Sequence, residues 1–177
     1  MLIFNKTDIP DVITFNPQVH KDSRGYFMET YNKEISNHLQ CNFVQDNYVK
    51  SSSKNILRGL HFQTNKMQAK LLRVIKGKIF DVAVDIRKGS PTYKGWVGKI
   101  LSEENGLNIY IPEGFAHGYC TLTHNTEIMY KCSNYYDSDC DTGIIWNDPS
   151  LNIDWPIDNP ILSAKDSKLP RLNDLKL

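Results

Sequence analysis

The residues of this chain that could do chemistry are concentrated between Asn55 and Arg87. This stretch contains one imidazole, His61, between apolar residues, and its cations include Arg58 and Lys70. Imidazole is the side chain best suited to proton transfer near neutral pH, and a positioned cation stabilises a developing oxyanion. Any one of these side chains alone would be assigned to a solvated sheet face. Their combination around Gly-Leu-His, which is expected to form a turn, favours a site that moves protons beside an oxygen atom.

Two strand-like segments of the same stretch would position these groups. The first runs from Lys70 to Ile75 and ends at Lys76-Gly77-Lys78. The second segment alternates, with one face made of Ile79, Asp81, Ala83, Asp85 and Arg87 and the other of Phe80, Val82, Val84 and Ile86. Successive side chains of a strand point to opposite faces, so both aspartates are expected on one side of a sheet. That charged side is either an ordinary solvated face or part of a site.

Length and composition limit the class of protein. The chain has 177 residues, of which 40% are hydrophobic and 23% charged, and its formal net charge is +1. These values predict one soluble globular domain over residues 1–177 and give no argument for nucleic acid or a membrane as a partner. The first residues, MLIFNKTDIPDV, lack a basic region followed by a long apolar core, so no secretory signal is expected.

The four cysteines, Cys41, Cys120, Cys132 and Cys140, show no metal-ligand spacing. We therefore expect reduced thiols in a cytoplasmic protein. A disulfide between Cys132 and Cys140 is the less favoured alternative.

The remainder of the chain consists mainly of short strand signals separated by turns. One helix is expected from Asn32 to Gln40, with Asn32 as its N-cap and Ile35 and Leu39 on one face. Trp146 and Trp155 are expected to anchor the polar tail that begins at residue 137. Many short strands predict an all-β sandwich or barrel. The further strands are expected at 12–15, 26–31, 43–49, 96–101, 107–111, 120–122 and 126–133.

The segment from Gly106 to His117 has the spacing of the second cupin motif. A strand is followed by Pro112 and Gly114, which suit a tight turn, and then by the histidine. Metal-binding cupins also need His-x-His, which this sequence lacks. With only His61 and His117 well placed, a metal would lack its usual three or four protein ligands. A metal-dependent cupin is therefore the weaker alternative, and no metal or other cofactor is expected.

Taken together, these motifs identify a resemblance to the dTDP-4-dehydrorhamnose 3,5-epimerase family. The resemblance implies an all-β, cupin-like jelly-roll β-barrel with short flanking helices, a core over about 40–136, and N-terminal strands and a C-terminal tail packed on it. It also implies a dTDP-sugar substrate, a homodimer, and epimerisation at two carbons flanking a 4-keto group without a cofactor. The matching stretches are DSRGYFMET, FVQDN, LRGLHFQ, AKLLRVIKGKIFDVAVDIRKGSP, IPEGFAHGY, YKCSNYY, WNDP and LSAKD.

The resemblance also assigns roles to individual residues. It makes His61 the general base, Tyr130 the general acid, Lys70 the cation at the keto oxygen and Asp166 the carboxylate that orients the base. Positions that hold nucleotide, diphosphate or sugar are Arg24, Phe27, Glu29, Gln45, Asn47, Arg58, His117, Tyr136, Asp141 and Lys165. The match to the family pattern is weaker at Asp141, because the family often has a glutamate one turn away in a variable loop, and the loop at 137–142 lacks the proline that is common there.

The same chemistry follows from the residue types. A hydrogen next to a ketone is removable when a cation such as Lys70 stabilises the enolate, and inversion needs a second acid on the opposite face. Three classes of function remain open. They are the 3,5-epimerase, a related enzyme that inverts one carbon or moves the ketone of a similar hexose or heptose nucleotide, and a sugar-binding module or metal-dependent cupin. Taken alone, Tyr130 and His117 could also be core residues.

Overall fold

The computed structural model of the protein describes residues 2–176. Within this range the chain forms thirteen β-strands, one α-helix and two short 3₁₀ helices, so the all-β prediction is confirmed. None of these helices is long and apolar enough to cross a membrane. The strands are β1 (Phe4–Lys6), β2 (Ile13–Phe15), β3 (Val19–Asp22), β4 (Gly25–Met28), β5 (Gln45–Ser51), β6 (Leu57–Gln63), β7 (Lys70–Lys76), β8 (Lys78–Asp85), β9 (Trp96–Ser102), β10 (Asn108–Ile111), β11 (Phe115–Thr121), β12 (Thr126–Cys132) and β13 (Asp141–Gly143).

Two antiparallel sheets face each other and form the jelly roll. The six-stranded sheet has the order β1-β2-β10-β7-β12-β5, and the five-stranded sheet has the order β13-β6-β11-β8-β9. A main core fills the space between them with side chains from both sheets, such as Leu72, Ile109 and Ile128 from one and Ala83 and Tyr119 from the other. The strands β3 and β4 pair only with each other, as a separate hairpin.

Strand β8 shows how the sequence alternation is used. Ile79 and Ala83 enter the main core, whereas Val82 and Val84 enter a second core on the outer side of the same sheet. The expected alternation is therefore confirmed. The interpretation of the aspartate side as a solvated face is wrong, because Asp81 is fully buried between the two sheets. A strand in the middle of a sheet that is covered on both sides must bury both of its faces.

Two outer layers cover the sheets. The C-terminal tail closes the second core, where Trp155 packs and its indole N–H donates to the carbonyl of Trp146 at 2.9 Å, as the sequence led us to expect of these anchors. The helix α1 (Lys33–Leu39) covers the six-stranded sheet with Ile35 and Leu39, and the Asn32 side chain caps its first turn. The 3₁₀ helices lie at Asp166–Lys168 and Leu172–Asp174.

Two expectations about local structure differ from what is found. The strand expected over 120–122 is the seven-residue strand β11, whose side chains are all buried, so no alternation of polar and apolar residues marks it in the sequence. The strand expected over 26–31 already ends at Met28. All four cysteines lie in the described part of the chain and are unpaired, so the alternative disulfide does not form.

Candidate active site

A β-bulge in β6 brings Arg58 and His61 to the same side of the five-stranded sheet. In a regular strand, residues three positions apart face opposite sides. On the neighbouring strand β11, His117 pairs with His61 and Tyr119 pairs with Arg58, so β6 takes three steps where β11 takes two. Paired residues share a face, and Tyr119 lies in the main core. Arg58 and His61 therefore both face the space between the sheets.

Glycine is required at this bulge. Gly59 has a φ of +133°, and a Cβ atom there would lie 2.5 Å from the Cα of Gly118 on β11. Only a residue without a side chain allows both this backbone conformation and this close approach. The Gly-Leu-His segment that the sequence presents as a turn is thus the interior of a strand.

His61 is held by a carboxylate from the C-terminal tail. Its Nε2 lies 2.7 Å from Oδ1 of Asp166, which leaves Nδ1 as the second ring nitrogen. The Asp166 side chain is almost completely buried, whereas about a third of the His61 side chain is exposed (32%). Burial raises the pKa of Asp166, but the hydrogen bond and charge of His61 and the Gly59 backbone N–H outweigh it, so the pKa is lowered. An ionised Asp166 fixes the tautomer of the ring and stabilises an imidazolium.

Lys70 and Tyr130 lie on the six-stranded sheet, opposite His61. Tyr130 on β12 pairs with Leu72 on β7 and packs against the main core. Lys70 lies two residues before Leu72 and shares its face. Burial lowers the pKa of Lys70, although nearby acidic groups act in the other direction. Burial raises the pKa of Tyr130 to about 12, so the phenol keeps its proton at neutral pH. A small cyclic molecule bound between the sheets would therefore have an imidazole on one of its faces and a phenol on the other.

Two amides extend this site along β5. Gln45 pairs with Cys132 and Asn47 pairs with Tyr130, so both amides share the face of the phenol. The Gln45 amide donates to Asn47 Oδ1 at 3.0 Å, and Asn47 donates to the sulfur of Cys132 at 3.4 Å. The polar residues expected in the middle of this strand thus lie beside the candidate acid.

His117 is the second imidazole of the barrel, and it is buried. Its Nε2 lies 2.8 Å from Oδ2 of Asp81, and both side chains are almost fully enclosed. Burial lowers the pKa of His117; the charge of Asp81 raises it, and those of Lys70 and His61 lower it further. His117 is therefore neutral at physiological pH. It borders His61 across the strand pair, where the sequence had placed it as a substrate contact.

Three further candidate residues meet at the rim of the barrel. The hydroxyl of Tyr136 donates to Asp141 Oδ2 at 2.9 Å, and Lys165 forms an ion pair with the same oxygen. The hydrogen bonds to Asp141 raise the pKa of both Tyr136 and Lys165. Because Lys165 directly precedes Asp166, this cluster adjoins His61.

The comparisons with known proteins decide the family. A family model described as dTDP-4-dehydrorhamnose 3,5-epimerase matches residues 6–174. This chain belongs to the dTDP-4-dehydrorhamnose 3,5-epimerase family. It is an isomerase, and the resemblance read from its motifs is confirmed.

Individual relatives match this epimerase over most of their length. The chain is 50% identical to the dTDP-4-dehydrorhamnose 3,5-epimerase of Salmonella typhimurium, with 100% of this chain and 99% of the relative covered. It resembles a Legionella pneumophila epimerase solved with dTDP-4-keto-L-rhamnose, with a TM-score of 0.95, 41% identity, and 99% and 95% of the two chains covered. A 3'-monoepimerase from Streptomyces bikiniensis, ChmJ, is 29% identical with a TM-score of 0.88 and coverage of 96% and 87%. The cupin-like jelly roll of the epimerase is thereby confirmed.

The hairpin β3–β4 of the epimerase does not reach the site of its own chain. Arg24 is exposed and pairs with Asp22 at 2.6 Å, and 65% of Phe27 is exposed. The hairpin lies on the outer face of the six-stranded sheet, where Met28 contacts Arg73 at 3.2 Å. Glu29, just after it, accepts a hydrogen bond from Asn32 at 2.8 Å. Three of the expected substrate contacts are thus separated from the other eleven candidate residues.

Sequence reasoning missed two residues of the site. Asp81 had been left open between a solvated face and a site, and it is the partner of His117. Tyr119 was not singled out, although its buried hydroxyl has no hydrogen-bond partner among the described residues and faces the space between the sheets. The signal for Tyr119 was its place two residues after His117, on the same face of a strand. Because both faces of β11 are buried, the polarity of its residues does not show which of them point between the sheets.

The described residues offer no obvious place for a metal ion. Within residues 2–176, no group of three or more His, Cys, Asp or Glu side chains could hold a metal. The Nε2 atoms of His61 and His117 are each engaged by a different aspartate.

Proposed function

We propose that this epimerase converts dTDP-4-dehydro-6-deoxy-D-glucose into dTDP-4-dehydro-L-rhamnose by inverting C3 and C5, in deoxysugar and polysaccharide biosynthesis. The observation that carries the proposal is the placement of His61 on one sheet and of Lys70 and Tyr130 on the sheet that faces it. Inversion of a carbon needs proton transfer at both faces of a ring, and one residue cannot reach both.

Removal of the first proton uses His61 and Lys70. The Lys70 ammonium lies at the keto oxygen and stabilises the enolate, an effect worth roughly 3–4 kcal/mol for one well-placed donor. His61 takes the proton from the carbon next to the ketone through Nδ1, because Nε2 is bound to Asp166. The resulting imidazolium is stabilised by the ionised aspartate. Tyr130 then gives its proton to the opposite face of the same carbon.

The nucleotide end of the substrate lies along the rim. Arg58 lies on the strand of the base and faces the space between the sheets, and a guanidinium binds diphosphate through paired hydrogen bonds. Gln45 and Asn47 lie beside Tyr130, and the cluster of Tyr136, Asp141 and Lys165 adjoins them through the hydrogen bond from the Tyr136 backbone N–H to Gln45. His117 lies beside His61 on the neighbouring strand. It presents a neutral imidazole, bound to Asp81, to the space between the sheets.

A homodimer would complete the site. The exposed hairpin carries Arg24 and Phe27, and the outer face beside it exposes Tyr48, Met129 and Ile75. An apolar face of this kind favours contact with another chain. We propose that each hairpin reaches the barrel of the second copy and supplies Arg24, Phe27 and Glu29 there. Four unpaired cysteines support a cytoplasmic location.

Solvent exchange tests the reaction. The purified protein is incubated in heavy water with dTDP-4-dehydro-6-deoxy-D-glucose and followed by proton NMR. Deuterium at both C3 and C5, with the rhamno product, is expected. Deuterium at one carbon would instead indicate the monoepimerase reaction that the name of ChmJ describes. Exchange at neither carbon contradicts the proposal for this substrate.

Chelation tests the absence of a metal from the mechanism. Activity is expected to be unchanged after exhaustive treatment with EDTA, because proton transfer is assigned to His61 and Tyr130 and oxyanion stabilisation to Lys70. If EDTA abolishes turnover and a divalent ion restores it, a metal ion takes part in stabilising the oxyanion, and the assignment to Lys70 alone is wrong.

A further inference from the structure

The loop between β12 and β13, residues 133–140, carries Tyr136 to the rim without packing it in place. The loop has no regular secondary structure, and 56% of Tyr136 is exposed. An exposed ring in an irregular loop is not positioned by burial. Its location must be set by the hydrogen bonds of the loop backbone.

Gln63 supplies two of these bonds, one on each side of Tyr136. It is the last residue of β6, two positions after His61, and only 3% of it is exposed. Its Nε2 donates to the carbonyl of Lys66 at 2.7 Å and to that of Tyr135 at 3.5 Å. Its Oε1 accepts from the backbone N–H of Asp137 at 2.8 Å. One buried amide thus holds the backbone on both sides of Tyr136.

Neighbouring contacts hold the same loop from other directions. The backbone N–H of Tyr136 itself donates to Gln45 Oε1 at 2.9 Å. On the surface, Lys66 pairs with Asp137 at 2.7 Å. The surface pair is solvated and contributes little. The buried amide of Gln63, with both its donor and its acceptor used, is the contact that fixes one arrangement of the backbone.

We propose that Gln63 is a positioning residue that couples the strand of the base to the nucleotide-binding loop. This rests on the proposed role of Tyr136 at the nucleotide. Because Gln63 and His61 belong to one strand, the loop is placed in a fixed relation to the base. A loop that is ordered before binding loses less conformational entropy when the nucleotide arrives. Loosening it therefore weakens nucleotide binding and leaves proton transfer at His61 intact.

The test is Gln63→Glu, which keeps the shape and the acceptor for Asp137 but places a carboxylate oxygen against two carbonyls. The Kd for dTDP and the KM are expected to rise about tenfold, which corresponds to about 1.4 kcal/mol. kcat and its pH profile are expected to stay within about threefold of wild type. Amide hydrogen exchange of the loop should become faster. If the variant does not fold, Gln63→Met removes the amide without adding charge and serves the same test.

A matched control separates positioning from general destabilisation. Asn105 holds the β9–β10 loop in the same way, donating to the Ile100 carbonyl at 2.9 Å and accepting from the N–H groups of Ser102 and Leu107. Asn105→Asp places a carboxylate oxygen against one carbonyl at a more exposed position away from the rim, and it should lower Tm without changing KM. Equal effects of the two variants on KM, or a Gln63→Glu defect confined to kcat, would overturn the proposal.

Tyr136→Ala distinguishes this proposal from the one on which it rests. It is expected to weaken dTDP binding at least as much as Gln63→Glu. If Tyr136→Ala leaves dTDP affinity unchanged, the role of Tyr136 is wrong and the positioning proposal falls with it. If Tyr136→Ala weakens binding while Gln63→Glu does not, only the positioning proposal is wrong.

Discussion

Two histidine–aspartate pairs lie next to each other in the barrel and differ mainly in their exposure. His61, with Asp166, is partly open to the chamber, whereas His117, with Asp81, is enclosed. An imidazole must reach its substrate to exchange a proton, so only the first pair suits catalysis. The second pair is a buried polar contact, in which Oδ1 of Asp81 has no hydrogen-bond partner among the described residues.

Tyr130→Phe separates removal of a proton from its return. The substitution removes only the hydroxyl, and His61, Lys70 and Asp166 still form the enolate. We expect deuterium from the solvent to continue entering at one or both carbons, because the base can return a proton to the face it came from. Net inversion should slow by about 10²–10⁴. Deuterium uptake and product are measured in one sample, and a parallel fall of both to the level of His61→Ala would rule out a separate acid.

The buried His117 makes stability depend on pH. Its pKa is lowered in the folded protein relative to the unfolded value of about 6.5. The unfolded chain therefore binds more protons as the pH falls below that value, and the free energy of unfolding should decrease on acidification from about pH 6.5. Urea denaturation at a series of pH values measures this. His117→Asn should be less stable throughout, with a flatter slope in this range. Identical slopes would show that another group titrates.

The sequence was enough to name some of the candidate site residues but not others. His61, Lys70, Tyr130 and Asp166 could be named because their residue types match steps of the chemistry and their motifs match the family. Gln63 could not be assigned a role, because its bond to Tyr135 spans 72 positions of the chain. For Tyr119, the deciding fact is a hydroxyl without a partner, which exists only in three dimensions.

At the scale of the elements, periodicity predicted the strands whose two faces differ in polarity and mostly missed β11, whose two faces do not. Strand β8 was placed correctly because its two sides differ in polarity, whereas β11 was mostly missed because all of its side chains are buried. The bulge in β6 was interpreted as a turn, because a glycine in a sequence is compatible with a turn as well as with a β-bulge. Its effect on the facing of Arg58 and His61 depends on the pairing with β11, which a single sequence does not contain.

Gly59→Ala tests the bulge. The added methyl group would collide with the Gly118 backbone in a φ region that side chains disfavour, so the free energy of unfolding should fall by more than about 2 kcal/mol. Gly89→Ala is the control, because nothing lies within 4 Å of a Cβ there. It should change stability by less than about 0.5 kcal/mol. Urea denaturation compares the two; a Gly59→Ala protein of normal stability would contradict the close approach of β6 and β11.

At the scale of the whole molecule, the separation of the hairpin from its own barrel predicts complementation between chains. Arg24→Ala and His61→Ala are co-expressed with different tags, and the mixed dimer is purified. If the hairpin acts on the second copy, one of the two sites keeps both residues, and about half of the wild-type activity is expected. Each variant alone should be strongly impaired. If the hairpin serves its own chain, both sites of the mixed dimer lack a residue and it should be as inactive as its parents.

The extra residue in β6 also restricts how the length of this chain can vary over evolution. Arg58 and His61 face the same side only because one residue more is present than the opposite strand needs. Deleting a residue between them would turn Arg58 away from the space between the sheets, although both Arg58 and His61 would still be present in the sequence. The exposed loop at 52–54 has no such requirement. Insertions and deletions should therefore accumulate in that loop, and the interval from 58 to 61 should keep its length even where its residues are exchanged.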